Sequence, residues 1–470
     1  MTVPAWVADA VFYHIFPDRF ANGDASNDPA GVQPWGSPPT IWGFQGGDLR
    51  GVLDHLDYLS DLGVNALLLN PIFHSTSNHR YNTYDYYRID PKLGTAEDFR
   101  SLLDAVHSRG MRLILDGVFN HCGRGFFAFH DLLENEAHSP YTDWFHVRRY
   151  PLHAYGPGEA ENYLGWWKFK SLPKFNTGNP GVRRYLMDVA KYWITLGIDG
   201  WRLDVPNEIN DDSFWAEFRE VVKSINPDAY LVGEIWDGDP RWVSPGHFDG
   251  LLNYPLRDLI LAFVGGRRIK AGDFGRGAMD LMARYDPENA RAHYLPLGSH
   301  DTERLRTMCA GDLRRVRLAF LLQFFYPGAP GIYYGDEIGM EGGKDPDSRR
   351  AFPWDPSRWE ADLRLTVRAL AQLRRSRAVL RHGDLRLLDA NDGSGTVAFG
   401  RVHGTERAIL LLNTSDQRAK VRVSAEAAGL HDGQALREGL GGGARRVSGG
   451  FLQVELPELA GEILLADSAG

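Results

Sequence analysis

The feature that most constrains the fold is an alternation of short apolar runs with longer amphipathic segments over roughly the first 370 residues. Alternation of strands with helical segments favours a parallel sheet whose crossover connections are helices. Eight runs have the length and composition of buried strands: VFYHIFP from Val11, NALLLNP from Asn65, RLILDGVFNH from Arg112, GWRLDV from Gly200, YLVGEIW from Tyr230, DGLLNY from Asp249, YLPLGSHD from Tyr294 and PGIYYGDE from Pro330. Eight strand–helix units predict an α/β fold, a (β/α)8 TIM barrel.

The segments between these runs include clear amphipathic helices. In TAEDFRSLLDAVHSRG, Thr95 and Asp98 have the spacing of a capping box. The apolar positions of that segment fall on one helical face: Phe99, Leu102, Leu103 and Val106. Residues 180–196, 211–225 and 312–325 show a similar periodicity, so helices are predicted there as well.

Two parts of the chain interrupt the alternation. Residues 122–175, between the third and fourth strands, are rich in Gly, Pro, His and aromatic residues without a clean helical period, which indicates a small inserted domain. From residue 378, the segments GTVAFGRV, RAILLLN, KVRVSAE and GEILLAD alternate in polarity and are separated by turn residues. They predict an all-β sandwich domain over residues 378–470. The barrel would then comprise residues 1–121 and 176–377.

Composition argues against several classes of protein. The 470 residues carry 61 acidic and 52 basic side chains, a net charge of −9, without a basic stripe, so no nucleic-acid partner is expected. No apolar run has the length of a membrane span, and the first residues do not resemble a secretory signal. Cys122 and Cys309 form no disulfide framework, which favours a reducing compartment, and we expect a cytoplasmic protein.

Polar residues cluster at the C-terminal ends of the predicted strands. In GWRLDVPNE, Arg202 and Asp204 lie two positions apart and therefore project to the same side of an otherwise apolar strand. Other strands end similarly, in Asp116, Asn120 and His121, in Glu234, and in His300 and Asp301. Because the C-terminal ends of barrel strands form the rim where active sites lie, these residues predict a catalytic site.

The residue types at this rim limit the chemistry. Several carboxylates with an arginine and histidines suit general acid–base catalysis with a carboxylate nucleophile. Glycoside hydrolysis uses one carboxylate that attacks and one carboxylic acid that protonates the leaving oxygen. Arg202 would hold Asp204 ionised by charge attraction, and burial of Glu234 would raise its pKa and keep it a proton donor.

Four of these segments resemble the conserved regions of the α-amylase family of glycoside hydrolases: DGVFNH (116–121), GWRLDVPNE (200–208), GEIW (233–236) and GSHD (298–301). LPKFN (172–176) is similar to a fifth signature in the form shared by neopullulanases, cyclomaltodextrinases and maltogenic amylases. The resemblance extends from Val11 to the end of the chain. It implies a retaining mechanism with Asp204 as nucleophile, Glu234 as general acid/base and Asp301 as the third carboxylate.

The same resemblance implies a set of substrate-binding residues: His79, Tyr81, His121, Arg202, Trp236, His300, Asp345 and Arg349. Tyr81 matches the tyrosine on which the sugar at the cleavage site stacks, and His121 and His300 match histidines that bind its hydroxyls. Trp236 is expected either in an acceptor subsite or in the core. Asp345 and Arg349 resemble a substrate-binding pair, with a plain loop salt bridge as an equal alternative.

A second polar cluster lies in the predicted first βα loop. FANGDASND places four oxygen-bearing side chains within seven residues, and Asp48 follows in GGDLRG: the four are Asn22, Asp24, Asn27 and Asp28. Such a set suits Ca²⁺, although Asx side chains that cap their own turns would give the same pattern. In the neopullulanase-like branch this pattern is a structural calcium site completed by a carbonyl matching Gly46. We therefore predict Ca²⁺ here and no organic cofactor.

Three functions account for these features to different degrees. The leading one is an α-glucan hydrolase acting on α-1,4 bonds of maltooligosaccharides, cyclodextrins, pullulan or starch, with or without transglycosylation. The second is a glucanotransferase or trehalose-forming isomerase on the same scaffold. A non-catalytic scaffold, like the amylase-fold subunits of amino-acid transporters, is disfavoured because all three carboxylates are kept.

Two departures from the branch qualify these expectations. The branch has an extra N-terminal β domain that supports dimers, whereas this sequence enters the barrel almost at once, so a monomer or weak homodimer is expected. Pro206 and Asp237 replace the Ala and His common at their positions. Both lie toward the acceptor side, which leaves the balance of hydrolysis and transfer open.

Overall fold

A computed structural model describes residues 3–466. Eight parallel strands form its barrel. In chain order they are β1 (Phe12–Ile15), β2 (Ala66–Leu69), β3 (Arg112–Gly117), β4 (Gly200–Leu203), β5 (Tyr230–Gly233), β6 (Gly250–Leu251), β7 (Tyr294–Pro296) and β8 (Ala329–Tyr333). Neighbouring strands pair in sequence order from β1 to β6, and β8 pairs with both β1 and β7. A parallel bridge between Leu252 and Tyr294 joins the β6 and β7 segments and closes the barrel. The predicted (β/α)8 fold is confirmed.

The helices predicted from periodicity are present. The described α-helices are Pro17–Phe20, Leu49–Asp54, Leu56–Leu62, Ala96–Ser108, Phe127–Asn135, Pro180–Leu196, Asp212–Ile225, Tyr254–Ile260, Ala271–Ala283, Pro287–Arg291, Leu305–Met308, Leu313–Phe325, Ala361–Ser376, Ala378–His382 and Ala425–Ala428. Thr95 and Asp98 form the capping box in both directions. Asp211 and Asp312 are N-caps that accept backbone N–H groups, so their helices begin one residue later than predicted. Within residues 3–466, no helix combines the length and apolar character needed to span a membrane.

Two connections on the C-terminal side of the strands carry site residues. After β2, the chain forms an antiparallel hairpin of Phe73–Ser75 and Thr83–Ile89, whose turn holds His79 and Tyr81. Residues 122–175 follow β3 and lack a long sheet, although a bridge of His121 with Lys174 brings the two ends together. The helix Phe127–Asn135 inside this segment was not predicted, because two to three turns are too short to show a repeated period. The exact domain boundaries stay a prediction.

The C-terminal strands form two antiparallel sheets, as the sequence predicted for a sandwich. They are β9 (Asp384–Asn391), β10 (Thr396–His403), β11 (Glu406–Asn413), β12 (Ala419–Ser424), β13 (Ala435–Glu438), β14 (Ala444–Arg446), β15 (Phe451–Leu456) and β16 (Ala460–Ala466). One sheet has the order β9-β10-β11-β16-β13-β14, and β12 pairs with β15 in the other. Four of these strands were not predicted: β9, β13, β14 and β15. β13 and β14 are short and carry several charges, and a bulge interrupts β9.

Side chains on the two faces of β11 pack into two different cores and so connect this domain to the barrel. Leu410 and Leu412 are buried in the large core that also contains the barrel helices, whereas Ile409 and Leu411 face the separate core between the two C-terminal sheets. Since successive strand residues point to opposite faces, one strand contributes to both cores. The barrel has its own centre, which includes Phe12, Leu68, Ile114, Tyr230 and Tyr294. The polar rim therefore lies at the end of a filled barrel rather than at a pore.

Candidate active site

Arg202 on β4 is the buried centre of the rim. Its Nη1 donates to Asp204 Oδ1 at 2.9 Å and to Asp116 Oδ1 at 2.7 Å, and its Nη2 lies 2.9 Å from Glu234 Oε1. A single planar guanidinium thus contacts both predicted catalytic carboxylates, which places their nearest oxygens within roughly 8 Å of each other. The structure brings Arg202, Asp204 and Glu234 together at one point, from segments about thirty residues apart.

The backbone after β4 helps to orient the two carboxylates. The Asp204 N–H donates to the carbonyl of Gly117 at 3.1 Å, and the Glu234 N–H donates to Leu203 at 3.0 Å, which continues the ladder of strand hydrogen bonds to the rim. Val205 then adopts a φ of 36°, in the left-handed region that β-branched residues rarely enter. This conformation directs the Val205 N–H to Glu234 Oε2 at 3.0 Å. Backbone strain next to the predicted nucleophile is typical of functional sites.

Asp301, after β7, contacts a histidine and an arginine on the other side of the rim. His300 Nε2 is 3.0 Å from Asp301 Oδ2, and Arg349 Nη2 is 3.3 Å from Asp301 Oδ1. Arg349 Nη1 also lies 3.1 Å from Asp345 Oδ1, so the loop salt bridge considered above is present. Because the same guanidinium reaches Asp301, that salt bridge is part of the site. The Asp301 side chain keeps 35% of its surface exposed, open to a ligand.

The aromatic turn of the hairpin reaches the same place. Tyr81 Oη donates to Asp116 Oδ2 at 2.6 Å and lies 2.7 Å from His300 Nε2, and the Tyr81 and His300 rings are nearly parallel at 5.3 Å. His79 Nδ1 accepts the Tyr81 N–H at 3.1 Å. His121 Nε2 is 3.1 Å from the Tyr81 carbonyl. The predicted aromatic and histidine residues are therefore brought together at one place on the rim.

Two tryptophans extend the site beyond the carboxylates. Trp236 is 46% exposed and stacks face to face on Tyr254 at 3.8 Å, so it lies at the rim rather than in the core. Trp166, in the insert, stacks on His121 with ring centroids 5.1 Å apart. Trp236 was predicted, whereas neither Trp166 nor Tyr254 was. Both residues lie outside the sequence motifs quoted above, so neither was singled out.

The sequence analysis also missed His14 and Asn70. His14 Nε2 is 2.9 Å from Asn70 Oδ1, and Asn70 Nδ2 donates to Tyr81 Oη at 2.9 Å and to Asp116 Oδ2 at 3.2 Å. Both residues are buried at or just after the ends of β1 and β2. The criterion applied to the other strands, a polar residue ending an apolar run, would have found both. They hold Tyr81 and Asp116 in place from below.

The carboxylates differ in acidity for identifiable reasons. Burial raises the pKa of Glu234. The positive charge of Arg202 offsets only part of that rise, and the negative charge of Asp301 adds to it. Burial also raises the pKa of Asp204, with Arg202 opposing and Glu234 adding to the shift. For Asp301, burial is outweighed by His300 and Arg349, which lower its pKa below the ordinary range. Arg202 lowers the pKa of Asp204, the direction expected, but it is shared with Asp116 and Glu234, and burial and the charge of Glu234 oppose it.

Two histidines of the site are neutral. Burial lowers the pKa of His121 to about 3, and burial together with Arg349 lowers the pKa of His79 to about 3. Neutral imidazoles exchange hydrogen bonds with hydroxyl groups as donors or acceptors without adding charge. This suits recognition of an uncharged, hydroxyl-rich ligand.

The residues of the predicted calcium loop are close together but partly satisfy one another. Asp48 caps helix Leu49–Asp54, and its oxygens accept the N–H groups of Gly23 at 3.0 Å, Asp24 at 2.8 Å and Gly51 at 2.6 Å. Asn27 Nδ2 also donates to Asp48, at 3.0 Å. The capping expected of Asx side chains is thus present. It leaves open whether the loop also binds a cation.

Other features of the loop fit a cation. Asn22 Nδ2 donates to Asp28 Oδ1 at 2.9 Å, and a Cβ on Gly46, with its φ of +83°, would lie 2.2 Å from that oxygen. Asn27 Oδ1 is buried without a hydrogen-bond partner. Burial and the charges of Asp48 and Asp24 raise the pKa of Asp28. Within residues 3–466 no group of three or more His, Cys, Asp or Glu is arranged to hold a metal, so amide and carbonyl oxygens would have to complete a donor set.

Comparisons with known proteins by family model, by sequence and by structure agree with one another. The family model of the α-amylase catalytic domain matches residues 14–371. The cyclomaltodextrinase of Geobacillus thermopakistaniensis is 45% identical over 428 residues, 91% of this chain and 72% of that protein. Neopullulanase 2 of Thermoactinomyces vulgaris is 43% identical over 430 residues, 91% of this chain and 73% of that protein. The structure of cyclic α-maltosyl-(1→6)-maltose hydrolase from Arthrobacter globiformis superposes with a TM-score of 0.90 at 41% identity, over 99% of this chain and 100% of that one.

Proposed function

Since the chain belongs to the α-amylase family of glycoside hydrolases, we propose that it cleaves α-1,4-glucosidic bonds of maltooligosaccharides, cyclodextrins, pullulan or starch with retention of configuration. The observation that carries the proposal is the contact of Arg202 with both Asp204 and Glu234 at 2.9 Å. A glycosidase needs two carboxyl groups that flank the bond it cleaves, and here one guanidinium holds two carboxylates close together at the mouth of the barrel.

The proposed reaction has two displacements. Asp204 Oδ attacks the anomeric carbon while Glu234 gives its proton to the glycosidic oxygen, which leaves with the acceptor part of the glucan. A water then attacks the glycosyl ester of Asp204, and Glu234 takes up the water's proton, so the free carboxylate and the acid are both restored. The raised pKa of Glu234 supports its role as the donor in the first step.

The remaining residues would bind the sugar at the cleavage site. Asp301 is ionised by His300 and Arg349, so it can accept hydrogen bonds from hydroxyls that shift as the ring flattens. Tyr81 offers its ring as a stacking surface, and the neutral His121 and His79 suit hydroxyl contacts. On the leaving-group side, Trp236 is half-exposed and suits an acceptor sugar.

The alternative is transfer of the glucosyl group to another sugar or isomerisation to trehalose. Trp236 stacked on Tyr254 is the observation that favours an acceptor sugar over water. Chromatographic analysis of the products from maltotriose, β-cyclodextrin, pullulan and starch separates the two functions. We expect glucose and maltose as the main products of maltotriose. Formation of longer oligomers or trehalose faster than glucose would contradict the hydrolase proposal.

We propose in addition that the loop of residues 22–48 binds Ca²⁺. Asn22, Asp24, Asn27, Asp28, Asp48 and the carbonyl of Gly46 would hold it. The orphaned Asn27 Oδ1 and the raised pKa of Asp28 support this, because a cation would satisfy the first and neutralise the second. The ion would stabilise the loop and take no part in bond cleavage.

We further propose a cytoplasmic protein that is a monomer or weak homodimer. The support for the compartment is that Cys122 and Cys309 are both free and buried, which is ordinary for a reducing environment. Light scattering on the purified protein across a range of concentrations would test the assembly. A stable higher oligomer at the lowest concentration would contradict the proposal.

A further inference from the structure

Trp42 is exposed to a degree unusual for a tryptophan. Its side chain is 80% exposed, and the adjacent Ile41 is 54% exposed. In the part of the chain that the structure describes, the Trp42 ring makes no aromatic stacking or cation–π contact. An indole in water forgoes the stabilisation that burial gives, and a ligand that covers the ring would restore it.

The turn that carries Trp42 is rigidly held. The Gly43 N–H donates to Thr40 Oγ1 at 2.9 Å, which closes the turn around Ile41 and Trp42. Asn78 Nδ2 donates to the Gly43 carbonyl at 2.8 Å and also reaches the carbonyl of Ile41 at 3.3 Å. Arg19 Nη2 donates to the same Gly43 carbonyl at 2.6 Å. The exposure of Trp42 is therefore a fixed feature of the fold.

Close packing on the inner side of the turn supports this. A Cβ on Gly43 would lie 2.2 Å from Gln33 Oε1, so the turn packs directly against the end of the Gln33 side chain. Phe44, the next residue, lies under Arg80 and Lys92 with cation–π distances of 5.9 and 5.5 Å. The residues on both sides of Trp42 are thus anchored, and only Ile41 and Trp42 project outward.

The anchors are themselves parts of the catalytic rim. Asn78 directly precedes His79 in the turn that holds Tyr81, and both Asn78 and Arg19 are buried. Arg19 Nη1 donates to the carbonyl of Arg349 at 3.0 Å, and Arg349 contacts Asp301. The Trp42 turn therefore stands beside the Asp301 and Arg349 side of the site.

This position fixes which end of a substrate Trp42 would meet. Glu234 protonates the leaving group in the proposed mechanism, so Trp236, two residues later, belongs to the leaving-group side. Trp42 is anchored through Arg19 and Asn78 to Arg349 and to the turn of Tyr81, and we infer that these groups bind the other part of the substrate. A glucan that extends from the cleavage site in the non-reducing direction would pass this turn.

We propose that Trp42 is a stacking platform for a glucosyl unit on the non-reducing side of the cleavage site, at least two units beyond the sugar that contacts Tyr81 and Arg349 and therefore out of reach of a productively bound maltotriose. The C–H face of a glucose ring packs on an indole much as aromatic rings pack on one another, and the pre-formed turn loses little conformational freedom on binding. This inference rests on the proposed α-glucan activity. It predicts that Trp42 matters for long substrates and not for short ones.

Kinetics of Trp42→Ala on substrates of two lengths test the platform. We expect kcat/KM for maltohexaose to fall about 10-fold, the effect of losing one aromatic contact, while kcat/KM for maltotriose changes less than about twofold. Trp42→Phe should retain most of the activity on maltohexaose, because a smaller ring still stacks. Leu365→Ala is the matched control, since Leu365 is 53% exposed on helix Ala361–Ser376 and should leave both substrates unaffected. Equal losses on the two substrates, or no loss on either, would overturn the proposal.

A binding experiment separates this inference from the proposed function. In the Glu234→Gln background, calorimetry should show weaker binding of maltohexaose when Trp42→Ala is added, with maltotriose unchanged. If neither glucan binds to Glu234→Gln, the proposed function fails. If both bind and Trp42→Ala changes neither affinity, the platform alone fails. Light scattering of the same variants tests whether Trp42 instead contacts a second copy of the chain. A smaller mass for Trp42→Ala than for the unchanged protein would overturn the glucan platform.

Discussion

Arg202 is a buried cation that contacts three carboxylates, those of Asp116, Asp204 and Glu234. Its charge lowers the pKa of Asp204 and Glu234, but burial and repulsion from neighbouring carboxylates raise both further than Arg202 lowers them. The two carboxyl groups therefore retain protons to higher pH than isolated carboxyl groups do. A retaining glycosidase needs one ionised and one protonated carboxyl group at the same pH. In two coupled groups, ionisation of one makes loss of the proton from the other harder, which favours the state with a single proton.

Glu234→Gln should lower kcat on maltotriose by three orders of magnitude or more, because the amide cannot protonate the leaving oxygen. Glucan binding should survive, since glutamine keeps the shape of the side chain and a carbonyl that can accept the Val205 N–H. Steady-state rates and calorimetric binding measure the two effects. Near-normal turnover of maltotriose by this variant would contradict the proton-donor assignment.

Arg202→Gln should shift the acidic limb of the pH–kcat/KM profile to higher pH. The nucleophile must be ionised to attack, and removal of the positive charge raises the pKa of Asp204, so a higher pH is needed to reach that state. The maximal kcat/KM should also fall by about 100-fold or more, because a buried carboxylate loses its partner. Arg202→Lys keeps the charge and is the control: its acidic limb should move less. An unmoved limb in Arg202→Gln would show that Arg202 does not set the ionisation of Asp204.

Among the elements, the βα connections after β1 and β2 complete the site that the strand ends begin. The hairpin of Phe73–Ser75 and Thr83–Ile89 delivers Tyr81 to His300, and the long connection after β1 carries both the Asn22–Asp48 loop and the Trp42 turn. Hydrogen bonds from Asn78 and Arg19 fasten that connection to the rim. The stability of one loop is therefore expected to affect the order of the site.

The calcium proposal concerns the stability of the loop after β1. Millimolar Ca²⁺ should raise the midpoint of thermal unfolding above that measured with a chelator, by about 2–4 °C if the ion is present at about 100 times its Kd. Asp28→Ala should abolish that difference, because it removes one of the carboxylates proposed to bind the ion. Asp54→Ala, an exposed acidic position on the adjacent helix, should retain it. Equal midpoints for the unchanged protein with calcium and with chelator would contradict the site.

At the scale of the molecule, the barrel and the C-terminal sandwich are joined by a shared core. Phe399 and Leu410 from β10 and β11 belong to the same buried cluster as the barrel helices, and Phe399 packs edge-on against Phe274 at 5.9 Å. The buried Arg401 adds hydrogen bonds to the carbonyls of Phe325 and Gly383. Burial of apolar surface between the two parts makes their unfolding interdependent.

Phe399→Ala should destabilise the whole protein by about 3–5 kcal/mol, the usual effect of removing a buried phenylalanine. Because the core is shared, activity on maltotriose and far-UV circular dichroism should be lost at the same lowered temperature. Lys420→Ala, at an exposed position of β12, should leave both midpoints unchanged. Loss of C-terminal structure while activity persists would show that the two parts unfold independently.

The eight barrel strands, the order of the elements and the main site residues were predictable because they depend on local patterns. A charged residue such as Arg202 or Asp204 in an apolar strand is visible in the sequence, and strand ends in a barrel share one rim. Four C-terminal strands, the helix Phe127–Asn135 and the residues His14 and Asn70 were missed. The helix and the strands β9, β13 and β14 are too short, charged or irregular to show a period, whereas β15 alternates as clearly as β12 and was overlooked. His14 and Asn70 follow a rule that was applied to only some strands.

Only the tertiary structure decided which distant groups meet. Tyr81 and His300 are 219 positions apart, yet their side chains are in hydrogen-bond contact, and no spacing rule relates them. The sharing of Arg202 between Asp204 and Glu234, and hence the acidity of each, follows from distances and burial that exist only in the folded chain. The same holds for Trp42, whose exposure depends on how Asn78 and Arg19 hold its turn. The sequence by itself determined which chemical groups are available and on which elements they lie, because those follow from residue type and periodicity. Folding decided their distances, their solvent exposure and their pKa values, because each of these depends on neighbours that are remote along the chain.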